Sequence, residues 1–204
     1  MKAIVLRGIN DYVYTEVEKP QCPKDALMLN VKACGLCGSD MRTLANGHRN
    51  VSYPWITGHE VCGIVDETGE EYNGPYVAGD VLTVAPNVFC GVCEYCRSGR
   101  FDLCMNLREL AQHWKGGFAE YMAIPAEALS NGCIVKISPD DDFAAAAIAE
   151  PPSSCISAQE KLGIGLMDNV LIIGSGPIGC IHICVAKARG ARKIIVADIS
   201  EDRI

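Results

Sequence analysis

Four cysteines packed into one short stretch, Cys90-x2-Cys93-x2-Cys96-x7-Cys104, constrain this chain more than any other feature. Thiolates at such intervals can surround a single tetrahedral Zn²⁺, and four sulfur ligands leave no position open for a reactant. Residues 88–106 are therefore predicted to fold as a lobe around a closed, structural metal site. The remaining cysteines, of 12 in a chain of 204 residues, are not spaced like the pairs of a small secreted domain. The start from Met1 to Gly8 reads as a short strand, with no apolar leader behind it. Zinc-bound and free thiols in a reducing cytoplasm are the expectation.

The formal charge of −7 carries no basic stripe, so nucleic acid is not expected as a partner. No uninterrupted apolar run approaches the ~18 residues of a membrane span, so no membrane partner is expected either. An apolar content of 49% is ample for a core. Up to about residue 140 the chain reads as β-rich. Short runs of Val, Ile and aromatics (2–6, 26–32, 60–66, 80–85, 118–124 and 133–137) alternate with Gly, Pro, Asn and Asp, as in an antiparallel barrel or sandwich. After Phe143 the texture turns helical, with a break expected at Pro151-Pro152 and helix resuming from Ser153 to Leu162. A strand–turn–helix–strand unit follows, from Val170 to Ala197. The predicted fold class is thus α/β plus β, with domains at 1–155 and 156–204.

A second group of metal-type residues is separate from the four-cysteine lobe. Cys37, Ser39 and Asp40 lie in one run, His59-Glu60 in another, and Glu150 precedes the two prolines. Singly, a thiol such as Cys37 reads as core, His59 as a buried histidine and Glu60 as a solvated carboxylate. Together a thiolate, an imidazole and one or two carboxylates make a mixed site on which an alcohol or water oxygen can share the metal. Zn²⁺ in that setting lowers the pKa of a bound hydroxyl and acts as a Lewis acid.

The third signal is Gly174-Ser175-Gly176-Pro177-Ile178-Gly179, which directly follows the apolar run Val170 to Ile173 and opens a helix. That run is expected to be a strand buried on both faces. Gly174 suits the tight turn, Gly176 lets the backbone approach a pyrophosphate, and Gly179 permits close helix–strand packing. The helix N-terminus offers free N–H groups to phosphate. Asp198 ends the next strand at the spacing of a dinucleotide fingerprint. A carboxylate there accepts from ribose hydroxyls and repels a 2′-phosphate, so NAD is expected rather than NADP.

In this order, Cys-Gly-Ser-Asp (37–40), Gly-His-Glu (58–60), the four-cysteine lobe, Gly-Gly-Phe-Ala-Glu-Tyr (116–121), Glu150-Pro151 and the glycine loop resemble the zinc-dependent medium-chain dehydrogenase/reductase family. Its polyol dehydrogenase branch is the most similar. The resemblance runs along the whole chain and implies a GroES-like β-barrel catalytic domain with a zinc lobe, followed by the first βαβ unit of a Rossmann fold. It implies Cys37 and His59 as ligands of a catalytic zinc, with Glu60 and Glu150 on or beside it; which carboxylate binds directly stays open. Ser39 matches the hydroxyl that contacts the substrate oxygen and begins a proton relay. The same resemblance places Ile178 near the pyrophosphate and Arg203 at the adenosine end. Many relatives carry a histidine where this chain has Arg42; arginine cannot act as a base, so the relay would end elsewhere or in solvent.

The implied activity is oxidation of a secondary alcohol or polyol, including a polyol phosphate, with hydride transfer to NAD. A homodimer or homotetramer is implied for the full-length form. Relatives of the resembled family are longer, so the chain reads as an N-terminal fragment with weak or no turnover on its own. Two alternatives stand beside this reading: a threonine dehydrogenase-like activity, and a zinc-stabilised binding module without catalysis. A zinc-free quinone or enal reductase is disfavoured, because both metal-type groups are present.

Overall fold

Strands form where apolar and β-branched residues alternate between turn formers, and their pairing gathers the metal-type residues at one end of an antiparallel sheet. The computed structural model describes residues 1–204, which divide into two units, Met1–Ile148 and Ala149–Ile204. In the first unit, β1 (Lys2–Gly8) and β2 (Asp11–Glu16) form a hairpin. The main sheet contains β3 (Leu27–Gly35), β4 (Glu60–Thr68), β5 (Val81–Val88), β6 (Arg108–Glu109), β7 (Tyr121–Ile124) and β8 (Gly132–Ile137). Its order is β6-β5-β4-β3-β7, with β8 also pairing β5, and every pairing is antiparallel.

One face of this sheet supplies the core: Leu27, Leu29, Val61, Val65, Leu82, Val84, Met122 and Ile124 pack together with Leu110 from the loop after β6. Burying each such side chain contributes roughly 1.5–3 kcal/mol. Three helices close gaps around the sheet: α1 (Gly38–Asn46), the single turn α2 (Glu94–Arg97) within the four-cysteine lobe, and α3 (Ala126–Asn131). A fourth, α4 (Phe143–Ala147), begins where the Asp142 carboxylate accepts from the N–H groups of Ala144 and Ala145. It sets Ala147 against Cys62 and Val81.

The second unit opens with α5 (Glu150–Lys161), then β9 (Asn169–Ile173), α6 (Pro177–Ala188) and β10 (Lys193–Ala197). The two strands pair in parallel, Asn169 opposite Lys193 and Ile173 opposite Ala197. Two sequence expectations differ from what forms. Pro151 and Pro152 do not interrupt a helix; they occupy its first turn, where a missing N–H costs nothing and the fixed φ suits the helix. The Val170 to Ile173 run is buried on one face only. Val170 and Ile172 pack with Ala186 and Ile183 of α6, whereas Leu171 and Ile173 are 59% and 82% exposed.

Candidate catalytic metal centre

β3 and β4 run antiparallel with Gly35 opposite Glu60, so the chain leaving β3 and the chain entering β4 meet at one edge. The first carries Cys37 into α1 and the second carries His59-Glu60. The ligand atoms of Cys37, His59 and Glu60 lie within 4.8 Å of one another. Glu60 is almost fully buried, and the His59 side chain is largely so. A thiol, an imidazole and a carboxylate converging so closely fit the donor set of a mixed zinc site with room for a fourth ligand. Ser39 Oγ stands 3.4 Å from His59 Nε2, beside the same point.

Asp40 is the residue that sequence reasoning quoted without giving it a task. It is 6% exposed and ties the site together. One carboxylate oxygen accepts from the Cys37 N–H at 3.1 Å, and the other accepts from the Gly58 N–H at 3.1 Å. The latter oxygen also faces His59 Nδ1 at 3.6 Å. A carboxylate behind Nδ1 fixes the tautomer and leaves Nε2 for a metal, the usual arrangement behind a ligating histidine. Its only signal in the sequence is its place at the third helical position of α1, where an acidic residue also serves as a cap.

Electrostatics follow the geometry. Burial opposes the charged form of His59, but the hydrogen bond and charge of Asp40, with the Cys37 sulfur adding, prevail and raise its pKa to about 9. A metal entering here displaces that proton. Cys34 is different: burial, with Asp40 and Glu60 nearby, pushes its thiol up to about 12, so it stays a protonated packing residue. Gly58 makes the turn into His59 at φ 94°, a left-handed conformation. A Cβ there would sit 2.8 Å from Cys34 Sγ and from the Phe118 ring, so only glycine fits. Phe118 thus packs behind the site, while Trp55 donates from its indole to the Ala111 carbonyl at 2.7 Å.

In the lobe, the four sulfurs of Cys90, Cys93, Cys96 and Cys104 also lie within 4.8 Å of one another. The Cys93–Cys96 and Cys90–Cys96 sulfur separations are 3.5 and 4.0 Å. A tetrahedron with Zn–S bonds of about 2.3 Å requires sulfurs about 3.8 Å apart. The residues therefore fit a closed zinc site. The Val92 and Cys93 N–H groups point at Cys90 and lower its pKa to about 6, which favours the thiolate a metal needs, whereas burial raises Cys96 to about 12.

The second unit holds the other predicted residues. The Gly174 to Gly179 loop joins β9 to α6, with Gly176 as the cap residue and Pro177 and Ile178 in the first helical turn. Gly174 is left-handed at φ 99°, and a Cβ on Gly179 would collide with the Gly174 carbonyl, so the third glycine is required for close packing. Asp198, just beyond β10, accepts from the Ser175 N–H at 2.7 Å and the Ser200 N–H at 2.9 Å. Those bonds, with the Arg203 charge adding, hold its carboxyl below the ordinary value. The Ser175 hydroxyl donates to the Arg203 carbonyl at 2.7 Å, bringing the Arg203 segment to the loop. Glu150 begins α5, where its carboxylate accepts from Ser154 Oγ at 3.1 Å.

Comparison with known proteins accords with these features. Residues 23–136 match the family described as the alcohol dehydrogenase GroES-like domain. The L-galactonate-5-dehydrogenase of Escherichia coli K12 is 32% identical over 205 residues, covering all of this chain and 57% of that protein. The L-threonine 3-dehydrogenase of Idiomarina loihiensis is also 32% identical, over 93% of this chain and 54% of its own length. Among solved structures, galactitol-1-phosphate dehydrogenase from Escherichia coli superposes with a TM-score of 0.87 at 28% identity, covering 100% of this chain and 57% of that one. A short chain alcohol dehydrogenase of Escherichia coli CFT073, solved with NADH, gives 0.85 at 31% identity over 100% and 58%. The chain thus spans little more than half the length of these relatives. The matched segment takes in α1, the turn into His59 and the whole four-cysteine lobe, and on that footing the chain belongs to the alcohol dehydrogenase GroES-like domain family, within the medium-chain zinc dehydrogenase superfamily.

Proposed function

We propose that this chain provides the catalytic metal site and the first part of the dinucleotide site of a zinc-dependent, NAD-linked dehydrogenase acting on a secondary alcohol of a polyol or sugar derivative. The observation that carries this reading is the convergence of Cys37, His59 and Glu60 within 4.8 Å. Relatives named for galactonate and galactitol-1-phosphate support the substrate class.

Zinc, when bound, supplies Lewis acidity to the substrate hydroxyl, and NAD supplies the hydride acceptor. The protein's own groups do the rest. Cys37 and His59 Nε2 hold the metal, with Glu60 and Glu150 the candidate carboxylates. Asp40 keeps the His59 ring in one orientation. Ser39 Oγ, which can accept one proton while donating another, moves the substrate proton toward solvent. Arg42, exposed on the same helix, takes no part as a base. Gly176, Ile178 and Gly179 present backbone N–H groups to the pyrophosphate, Gly174 makes the turn with its own N–H on the Ala197 carbonyl at 2.7 Å and Pro177 sets the first helical turn, while Asp198 and Arg203 meet the adenosine ribose. No helix is long and apolar enough to cross a membrane; a cytoplasmic setting and a homodimer or homotetramer for the full-length protein belong to the same proposal.

The test is a substrate panel with NAD⁺ and the zinc-loaded full-length protein, comprising sorbitol, galactitol 1-phosphate, L-galactonate and L-threonine. Oxidation of polyols or sugar acids, lost in Cys37→Ser, is the expected outcome; zinc-independent turnover would overturn the reading. L-threonine is included because threonine 3-dehydrogenases stand at equal identity to this chain. Preferential turnover of it would replace the polyol reading.

A further inference from the structure

Within the second unit, α5 touches α6 through a matched pair of contacts. Cys155 and Gln159, one turn apart on α5, meet Ile178 and His182, one turn apart on α6. The Cys155 thiol faces the Ile178 carbonyl at 3.9 Å. Gln159 Nε2 donates to the His182 carbonyl at 2.9 Å and lies 3.2 Å from His182 Nδ1. Two acceptors converge on that nitrogen, and it has two protons to give; this fixes the amide orientation and makes Nδ1 of His182 the unprotonated ring nitrogen.

Gln159 is only 2% exposed, and its Oε1 is buried without a partner. A leucine or methionine would fill this space without bringing a buried acceptor of its own. What the amide adds is direction. A two-proton fork onto a single turn permits one axial position of α6, whereas an apolar contact tolerates sliding. The glycine loop shares the first turn of that helix: Gly176 is its cap, and Gly179 is wedged against the Gly174 carbonyl. An axial shift of α6 therefore moves the phosphate-facing N–H groups with it.

We propose that Gln159 is a positioning residue for the dinucleotide: through His182 it sets α6, and through α6 it sets the amides that meet the pyrophosphate. The inference rests on the dinucleotide reading given above. Its test is the affinity of the whole zinc-loaded chain for ADP-ribose, compared among wild type, Gln159→Leu and Gln159→Met at a temperature where circular dichroism shows all three folded. The expected result is a loss of about tenfold in affinity, equivalent to about 1.4 kcal/mol. A residue that merely stabilised the fold would lower the melting temperature and leave this affinity alone. Affinity in the folded variants within about twofold of wild type overturns the proposal. Should neither variant fold, the wild-type side-chain amide resonance of Gln159 decides: a shift on addition of ADP-ribose supports the proposal, and an unmoved resonance overturns it. If the wild type itself does not bind ADP-ribose, the dinucleotide reading falls, and this inference falls with it.

Discussion

Asp40 shows how one unremarked side chain organises reactive neighbours. It holds the N–H of Cys37, the N–H of Gly58 and the ring of His59 at once. Replacing it with alanine leaves the buried Gly58 N–H and the half-buried Cys37 N–H unpaired and frees the imidazole to rotate. Asp40→Ala is expected to weaken zinc at the mixed site by roughly 10–100-fold, the range for losing such a support. Titration against a chromophoric chelator would show this, with zinc in the four-cysteine lobe unaffected. Equal loss from both sites would point to general unfolding instead. Cys37 and His59 could be picked out as candidates only because Cys-Gly-Ser-Asp and Gly-His-Glu stand in an order that resembles a known family; among 12 cysteines a thiol alone says little. The task of Asp40 could not be read, because it depends on Gly58 returning to the helix, a contact that no local pattern encodes.

Elements repeat the lesson. The strands of the main sheet were readable because alternating apolar residues announce a half-buried surface. The second strand of the hairpin, Asp11–Glu16, was not, since its side chains are mostly exposed and its apolar pattern weak. Helix α1 was hidden for a similar reason: only Asp40 and Thr43 are buried along it. The proline pair was misread because a break and a first turn use the same residue. Register between β5 and β8 offers a prediction. Lys136 on β8 reaches Asp80 at the head of β5 at 2.6 Å, and together with the Val77 N–H it holds that carboxyl below its usual value. A lowered folded-state pKa adds stability above the unfolded value of about 4, and the gain is lost as pH falls through the depressed value. Lys136→Met should therefore lower the melting temperature at neutral pH, with the gap to wild type closing in acid. A gap of equal size at both pH values would show that packing, not charge, is responsible.

Taken whole, the chain carries two metal-type groups of opposite design, one of four sulfurs and one mixed. Two zinc ions per chain are expected by elemental analysis. Cys104→Ser should drop the count to one and loosen residues 88–106 while Cys37 and His59 keep theirs; one ion in the wild type would contradict the mixed site. The other large-scale feature is the face of the parallel pair that α6 does not cover. Leu171, Ile173 and Ile195 line up there, adjacent across β9 and β10 and open to water. Such a greasy strip acts as glue. A dye that brightens on apolar surfaces should light up with the purified chain, and clumping should grow with concentration. Leu171→Lys combined with Ile173→Lys should quench both while leaving the zinc count at two, a practical handle for anyone who needs this polypeptide to stay clear in a tube.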